Sequence, residues 1–413
     1  MTRRGALAPG GRLYRRKAVE CRCEIEARLM MRQLLPTVLL IVLLNAVVPA
    51  RVHSQERVRL FDIEVDEYYT LADPGRAALA DWWRIDGTGG VLFDQETTLL
   101  GLTNPRLLLI ESDELFIVDG VDGTRVLVYS LPDLGLKMSF GADGHGPDDF
   151  RVRPGHRIGL DVTADTIVVT DGGRVALFDR GGDLLEEVSF PFWTQWDFKS
   201  LGSGFVGQGS DPDDYSYLLN VYDAGLRPVR ELLRVANPVS AEGGPIRVLT
   251  TSLQYSVHEG EVYAWGHTPD LVIDVFDAGG NRVRSLRPQY DRVPVAEEIK
   301  AMILEAYGAN AGFAGQTEDL RERLVFPSHF PAIWTGYVDD GKIYLLTYER
   351  QGWEFRMLVL DTDGNALGSA LLPVRLSPAN TPYPATVHQG RWYQVAMNHE
   401  TGDWDLLVLD IRF

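Results

Sequence analysis

The sequence predicts an all-β fold, a six-bladed β-propeller closed by an N-terminal strand, with a small helical insertion between blades four and five. Three observations point there. A short strand ending in a turn recurs six times, the recurrence is spaced as four-stranded sheets require, and the one segment with a helical period falls in the one oversized gap.

The recurring strands are "RVLVYSLPDLG" (125–135), "RVALFDRGGD" (174–183), "LLNVYDAGL" (218–226), "VIDVFDAGG" (272–280), "RMLVLDTDGN" (356–365) and "DLLVLDIRF" (405–413). Anchored on Tyr129, Phe178, Tyr222, Phe276, Leu360 and Leu409, they are 49, 44, 54, 84 and 49 residues apart. A second apolar strand precedes most anchors, as in "ELFIVDG" (114–120), "DTIVVTD" (165–171), "GEVYAWG" (260–266), "GKIYLLTY" (341–348) and "RWYQVAM" (391–397); "GSGFVGQG" (202–209) is a weaker counterpart. Another follows the turn in "LKMSFG" (136–141), "LLEEVSF" (184–190) and "RVRSLRP" (282–288). Asp-Gly and Gly-Gly pairs supply the positive φ that tight hairpins need. Units of 44 to 54 residues with about four strands each are blades, and stacking them radially buries both sheet faces and leaves few open edges.

The chain stops four residues after the last anchor, so the sixth blade lacks the strand that should follow its turn. "RVRLFDIEV" (57–65) is the expected supplier, closing the ring by pairing first residues with last. The 84-residue gap contains "PVAEEIKAMILEAYG" (294–308), which sets Val295, Ile299, Met302, Ile303 and Ala306 on one helical face. Pro294, Glu297 with Glu298, and Gly308 punctuate that helix. A second helix is expected over 317–326, capped by Thr317, with Leu320 and Leu324 inward, so the insertion spans 294–326.

Residues 1–54 differ in kind. "LLPTVLLIVLLNAVV" (34–48) follows Arg32 and precedes Ala50 and Ser54, the layout of a secretory signal peptide, and it is short for a membrane span. The true start is expected at Met30 or Met31, with an uncleaved anchor as the rival reading. Cys21 and Cys23 both precede the apolar run, so the mature chain, 55–413, has no cysteine and must be held by a core. It keeps 30 basic against 55 acidic residues, a formal charge of −25, which makes nucleic acid and anionic lipid poor partners. Export to a bacterial periplasm or cell surface is the expectation. No transmembrane span is expected in the mature chain, which should be monomeric outside an envelope assembly.

"GADGHGPDDF" (141–150), with the "RVRPGHRIGLDVTADTIVVTDGGRVALFD" that follows, resembles bacterial six-bladed propellers of the NHL-like and TolB-like kind, in which a Gly-x-Gly-Pro-Gly-Glu-Phe-like segment joins blades. Here Asp148 stands where the family-like segment has its glycine after proline. The resemblance implies a blade joint in which Gly144 and Gly146 permit the reversal, Pro147 fixes it and Phe150 plugs the space between sheets. A phosphate cradle would need glycines leading into a helix, and no helix pattern follows.

Chemistry is less legible. No His-x-x-x-His or His-Glu-x-x-His pattern occurs, no Gly-x-Ser-x-Gly, and no twelve-residue calcium loop. The histidines nearest inner-strand regions are His258, His329 and His388, candidates for polar groups at the channel. Trp193, Trp196, Trp334 and Trp353 are candidates for an aromatic rim that would take sugar, peptide or protein, against the plainer reading of wedges between blades. Six-bladed lactonase-like enzymes bind a divalent cation through Glu, Asn and Asp at the channel; Asn220, Asn310, Asn380 and Asn398 show no supporting spacing. No catalytic residue, metal ligand or cofactor is assigned. The expected function is noncatalytic binding or scaffolding of a protein, peptide or glycan through a propeller face, with a metal-dependent lactonase-like or lyase-like enzyme as the alternative.

Overall fold

The computed structural model describes residues 93–413 apart from short internal stretches, the longest being 151–157, 190–194, 237–244, 310–321 and 378–381. Strand β1 (Gln95–Leu99) comes first. Blade 1 is β2 (Pro105–Glu111), β3 (Glu114–Asp119), β4 (Arg125–Ser130) and β5 (Leu136–Phe140). Blade 2 is β6 (Gly159–Val162), β7 (Thr166–Asp171), β8 (Arg174–Asp179) and β9 (Leu184–Ser189). Blade 3 is β10 (Gln195–Leu201), β11 (Gly204–Ser210), β12 (Tyr217–Tyr222) and β13 (Pro228–Val235). After the short β14 (Ile246–Arg247), blade 4 is β15 (Gln254–His258), β16 (Glu261–Trp265), β17 (Ile273–Phe276) and β18 (Arg282–Leu286). Helix α1 (Glu297–Ala309) and β19 (Leu324–Val325) follow. Blade 5 is β20 (Thr335–Asp339), β21 (Lys342–Gln351), β22 (Glu354–Asp361) and β23 (Ala366–Leu372), and blade 6 is β24 (Ala385–His388), β25 (Arg391–Met397), β26 (Trp404–Asp410) and, returning to it, β1.

All six sheets are antiparallel meanders of four strands. Their first strands touch in a closed cycle, β2 to β6 to β10 to β15 to β20 to β24 and back to β2, which makes these six strands the wall of the central channel. Between each pair of neighbouring blades lies one apolar cluster. Phe116, Val118, Ile167 and Phe178 fill the space between blades 1 and 2, while Leu115, Ile117, Tyr393 and Leu406 fill that between blades 6 and 1.

This arrangement explains why the second strands read as unbroken apolar runs. In "ELFIVD", Leu115 and Ile117 face one neighbour and Phe116 and Val118 the other, so the two-residue period buries both faces. Residues 343–346 repeat the pattern: Ile343 and Leu345 face blade 4, Tyr344 and Leu346 the cluster shared with blade 6. Each fully buried aliphatic or aromatic side chain contributes about 1.5–3 kcal/mol, and with no cysteine in 93–413 this packing is the main stabilising force.

Two expectations need correction. The strand paired with β26 is Gln95–Leu99, in register Gln95 to Val408 through Leu99 to Trp404, so this edge is not available to 57–65, a segment outside the described residues. The second expected helix ends differently as well: Leu324 and Val325 form β19, parallel to β14, while Thr317 and Leu320 lie outside the described residues. Leu324 is buried as expected, but it packs as a strand residue beside Val248, Val295, Ile299, Ile303 and Phe330. The parallel pairing with β14 fixes an extended backbone there, and the sequence period does not reveal so distant a partner.

At the joint between blades 1 and 2, Phe150 is fully buried and meets Phe140 and Phe178 edge-on, at centroid distances of 6.2 and 6.1 Å. Its N–H donates to the Ala142 carbonyl, and the Gly146 N–H donates to the Asp149 carboxylate at 2.8 Å. A Cβ on Gly144 would stand 2.0 Å from that carboxylate, and one on Gly141, at φ +79°, would enter the Phe150 ring. His145, Pro147 and Asp148 lie outside the described residues. The joint is clamped by Arg174, whose fully buried guanidinium donates to Asp171 at 3.2 Å, to Glu187 and to the Asp149 carbonyl.

Removing that clamp is expected to be severe, because Asp171 would be left charged and buried. Arg174→Ala should lower stability by about 3–5 kcal/mol in urea unfolding, and Arg174→Met combined with Asp171→Leu should recover most of the loss. Equal losses in the two variants would contradict a role dominated by the stranded charge.

Candidate functional site at one mouth of the channel

Antiparallel meanders sort the turns by end. Turns from first to second and from third to fourth strand share one end of each blade, the hairpin end. Turns from second to third strand and the blade joints share the other, the joint end.

The candidates picked from sequence divide between these ends. His258 and His388 are the last residues of β15 and β24, at the hairpin end. His329 is elsewhere: it bridges to Pro294 beside α1, at the joint end, with its Nδ1 2.9 Å from the Ser328 hydroxyl. Trp334 also sits at the joint end, just before β20. It stacks on Tyr348 at 5.5 Å, lies 4.9 Å from Phe355, and packs against the cluster that holds α1. Trp196 is the second residue of β10, and Trp193 and Trp353 lie outside the described residues. Of the four candidates, Trp334 is the one whose side chain is described, and it is wedged among aromatics.

At the hairpin end the structure joins to His258 and His388 two residues that sequence reading passed over, Asp339 and Glu111. The last residues of β24, β20 and β15 are His388, Asp339 and His258, and blade 1 adds Glu111 from the same position of β2. Four consecutive blades, 4, 5, 6 and 1, thus place an ionisable group at equivalent points of one channel mouth. Blades 2 and 3 place buried Val162 and Leu201 there. The signal was present in "VHEGEVY", "VDDGKIY" and "VHQGRWY", which align without gaps at 257–263, 338–344 and 387–393. The second and third turn residues are Glu259-Gly260, Asp340-Gly341 and Gln389-Gly390, all at positive φ, the geometry of a tight two-residue hairpin.

His388 is the hub. Its Nδ1 is 3.6 Å from Asp339 on blade 5, and the Gln389 N–H donates to the same carboxylate at 2.7 Å. That carboxylate raises the His388 pKa above its ordinary value against the opposing effect of burial, and Glu111 from blade 1 adds to the rise. The Ser112 backbone beside His388 adds to the rise, and the Nε2 of His258 is enclosed with no hydrogen-bond partner among the protein groups. So is the hydroxyl of Tyr344, a fully buried side chain whose pKa is pushed up to about 12 by burial, with Asp339 and Asp340 adding. Among the described residues, no three of His, Cys, Asp and Glu stand so as to hold a metal ion.

Asp339→Asn is expected to return the His388 pKa toward 6.5, read from imidazole resonances by NMR. A histidine whose pKa is raised by folding contributes stability that is fully present below its unfolded value. That contribution disappears as pH rises through the folded value, so the unfolding midpoint of wild type should fall across this window, and Asp339→Asn should flatten the fall. An unchanged His388 titration in the variant would remove Asp339 as the cause.

No family model and no curated protein sequence matches the chain. Among solved structures it is similar to a member of the DUF4221 family from Bacteroides vulgatus, at TM-score 0.49 and 10% identity, over 78% of this chain and 98% of that one. It is also similar to the β-propeller domain of Cps50 (Swd1) from Myceliophteria thermophila, at TM-score 0.36 and 12% identity, over 78% and 99%. A third likeness is to Hsv2 from Kluyveromyces lactis, at TM-score 0.33 and 9% identity, over 75% and 87%.

Proposed function

We propose that this chain is an exported, noncatalytic binding protein of a bacterial cell envelope that recognises a protein, peptide or glycan at the hairpin-end mouth of its propeller. The observation that carries the reading is the set His258, Asp339, His388 and Glu111, delivered by four adjacent blades at one register. Convergent polar groups from separate elements are how a rigid scaffold recognises a hydrogen-bonding ligand. A lactonase-like or lyase-like reaction would need a divalent ion held by several donors. Metal-dependent turnover that is lost with these residues would favour that alternative.

The resemblance of 141–150 to the NHL-like and TolB-like blade joint is in keeping with an envelope role. So are the apolar run at 34–48, the absence of cysteine after residue 23 and the excess of acidic residues. Among the described residues, no helix is long and apolar enough to cross a membrane.

Screening the full chain against peptide and glycan arrays should give a saturable ligand class. Its binding should weaken about tenfold or more in His258→Ala/His388→Ala and in Asp339→Ala, the worth of one or two lost polar contacts. Binding that is indifferent to all three positions would place recognition elsewhere. Expressed in a bacterial host, the protein should be recovered outside the cytoplasm with a new N-terminus near Ala50 or Ser54. Recovery in the cytoplasm with the apolar run intact would contradict export.

A further inference from the structure

The outer strand of blade 6 differs in kind from the outer strands of the other blades. β5, β9, β13, β18 and β23 each follow a tight turn from the third strand of their own blade, and each turn holds a residue at positive φ: Leu134, Gly182, Leu226, Gly280 and Gly364. Just past the turn every one of these strands carries a bulge, at Lys137, Leu185, Val229, Val283 and Leu367, where two residues oppose one on the third strand. A bulge bends and twists an outer edge and spoils it as a template for a further strand. β1 comes from the opposite end of the chain, with no turn joining it to β26, and its register runs unbroken from Gln95 to Leu99. It has no bulge, no proline and no lysine, so blade 6 ends in a regular edge.

That edge is open and held in place. Gln95, Glu96, Thr97 and Thr98 are exposed, and alternate residues of such a strand turn their N–H and C=O groups away from the neighbour that β26 provides. Just beyond the strand, Leu100 is 79% exposed while its carbonyl accepts a hydrogen bond from the buried Tyr129 hydroxyl at 2.8 Å. A bare aliphatic side chain is thus fixed at the end of the edge. The charge along it is negative. Asp94 and Asp410 share Arg412, at 3.5 and 3.7 Å. Glu96 on the strand, and Asp403 next to the Leu99–Trp404 pair, have no cation within ion-pair distance among the described residues.

We propose that β1 accepts an extended, lysine- or arginine-bearing segment of a partner protein as a fifth strand of blade 6. Main-chain hydrogen bonds to alternate residues of β1 supply the affinity in such strand addition. A cationic side chain opposite Glu96 and an apolar one against Leu100 supply the selection. A second copy of this chain suits the edge less well, because it would bring another Glu96 and a formal charge of −18 to the same place. The edge lies on the outside of the propeller, apart from the hairpin-end mouth, and its role does not depend on the reading of that mouth.

The probe is a short, end-blocked peptide alternating lysine with valine and threonine, added to the full chain and followed at the amides of 95–100 by NMR and hydrogen exchange. Saturable shifts are expected there, with new protection at alternate residues of β1. The same peptide with glutamate in place of lysine should bind about tenfold or more weakly. A peptide with the same lysines spaced by proline keeps the charge but lacks half the amide donors, and it should not saturate. Glu96→Lys should weaken binding of the lysine peptide about fivefold, in line with one exposed ion pair, and Glu186→Lys on the bulged β9 should leave it unchanged. Equal binding of the proline peptide, or wild-type binding by a folded Glu96→Lys, would overturn the assignment. Protection of the same amides by dimerisation without any peptide would overturn it in favour of a second copy. Shifts confined to His258 and His388 would place the peptide at the mouth instead, so failure at the edge and failure at the mouth read out separately.

Discussion

The pairing of β1 with β26 is the constraint on which the rest of the molecule depends. It joins residues more than 300 positions apart in one sheet, Thr98 to Asp405 and Leu99 to Trp404. Side chains reinforce the ladder: the Thr98 hydroxyl donates to Asp405 at 2.6 Å, and the Trp404 indole donates to the Thr103 carbonyl at 3.3 Å. At the other end of the pair, the Asp410 N–H donates to Asp94 at 2.7 Å. Without β1 the third strand of blade 6 would be a raw edge. The cluster between blades 6 and 1 would also lose Leu99. Every other blade is stabilised by two neighbours, and closure extends that condition to the first and last.

Closure also places the residues of the hairpin-end mouth. Glu111 is near His388 because blade 1 is brought back beside blade 6, and Asp339 reaches the same imidazole from blade 5. His388 thus reads the position of both its neighbours across the place where the ring meets. An open chain of five blades and a fragment would hold the same residues with no reason for them to converge. The charged set at the hairpin end belongs to a rigid frame in which each side chain's position is fixed by the packing of whole sheets.

Much of this was legible in the sequence, and what was missed has physical causes. The six anchors all fall in third strands, and three of their runs, 174–183, 272–280 and 356–365, carry the Gly-Gly or Asp-Gly turn that ends such a strand. The sequence points to "RVRLFDIEV" as the closing strand because it is the one strand-like segment left unassigned far from the last blade. The real partner, "QETTL", is an outermost strand whose first four residues are exposed, so burial imposed no pattern on it. His258 and His388 stood out as histidines, whereas Asp339 in "VDDGK" looks like any turn aspartate and Glu111 like any surface acid. Their meaning lies in register across blades, and register appears only once the ring is assembled. Trp334 was singled out for its chemistry, but nearby Tyr348 and Phe355, on strands that follow it, decide that it packs.

Native-state hydrogen exchange over residues 95–99 and 404–410 tests the closed ring most directly. If β1 completes blade 6, its ladder amides should exchange only with global unfolding, at rates matching those of β25 and β26, and both should accelerate together in mild denaturant. Exchange of 95–99 at the rate of free peptide, while 404–410 stays protected, would show that the ring is closed by some other segment or not closed at all.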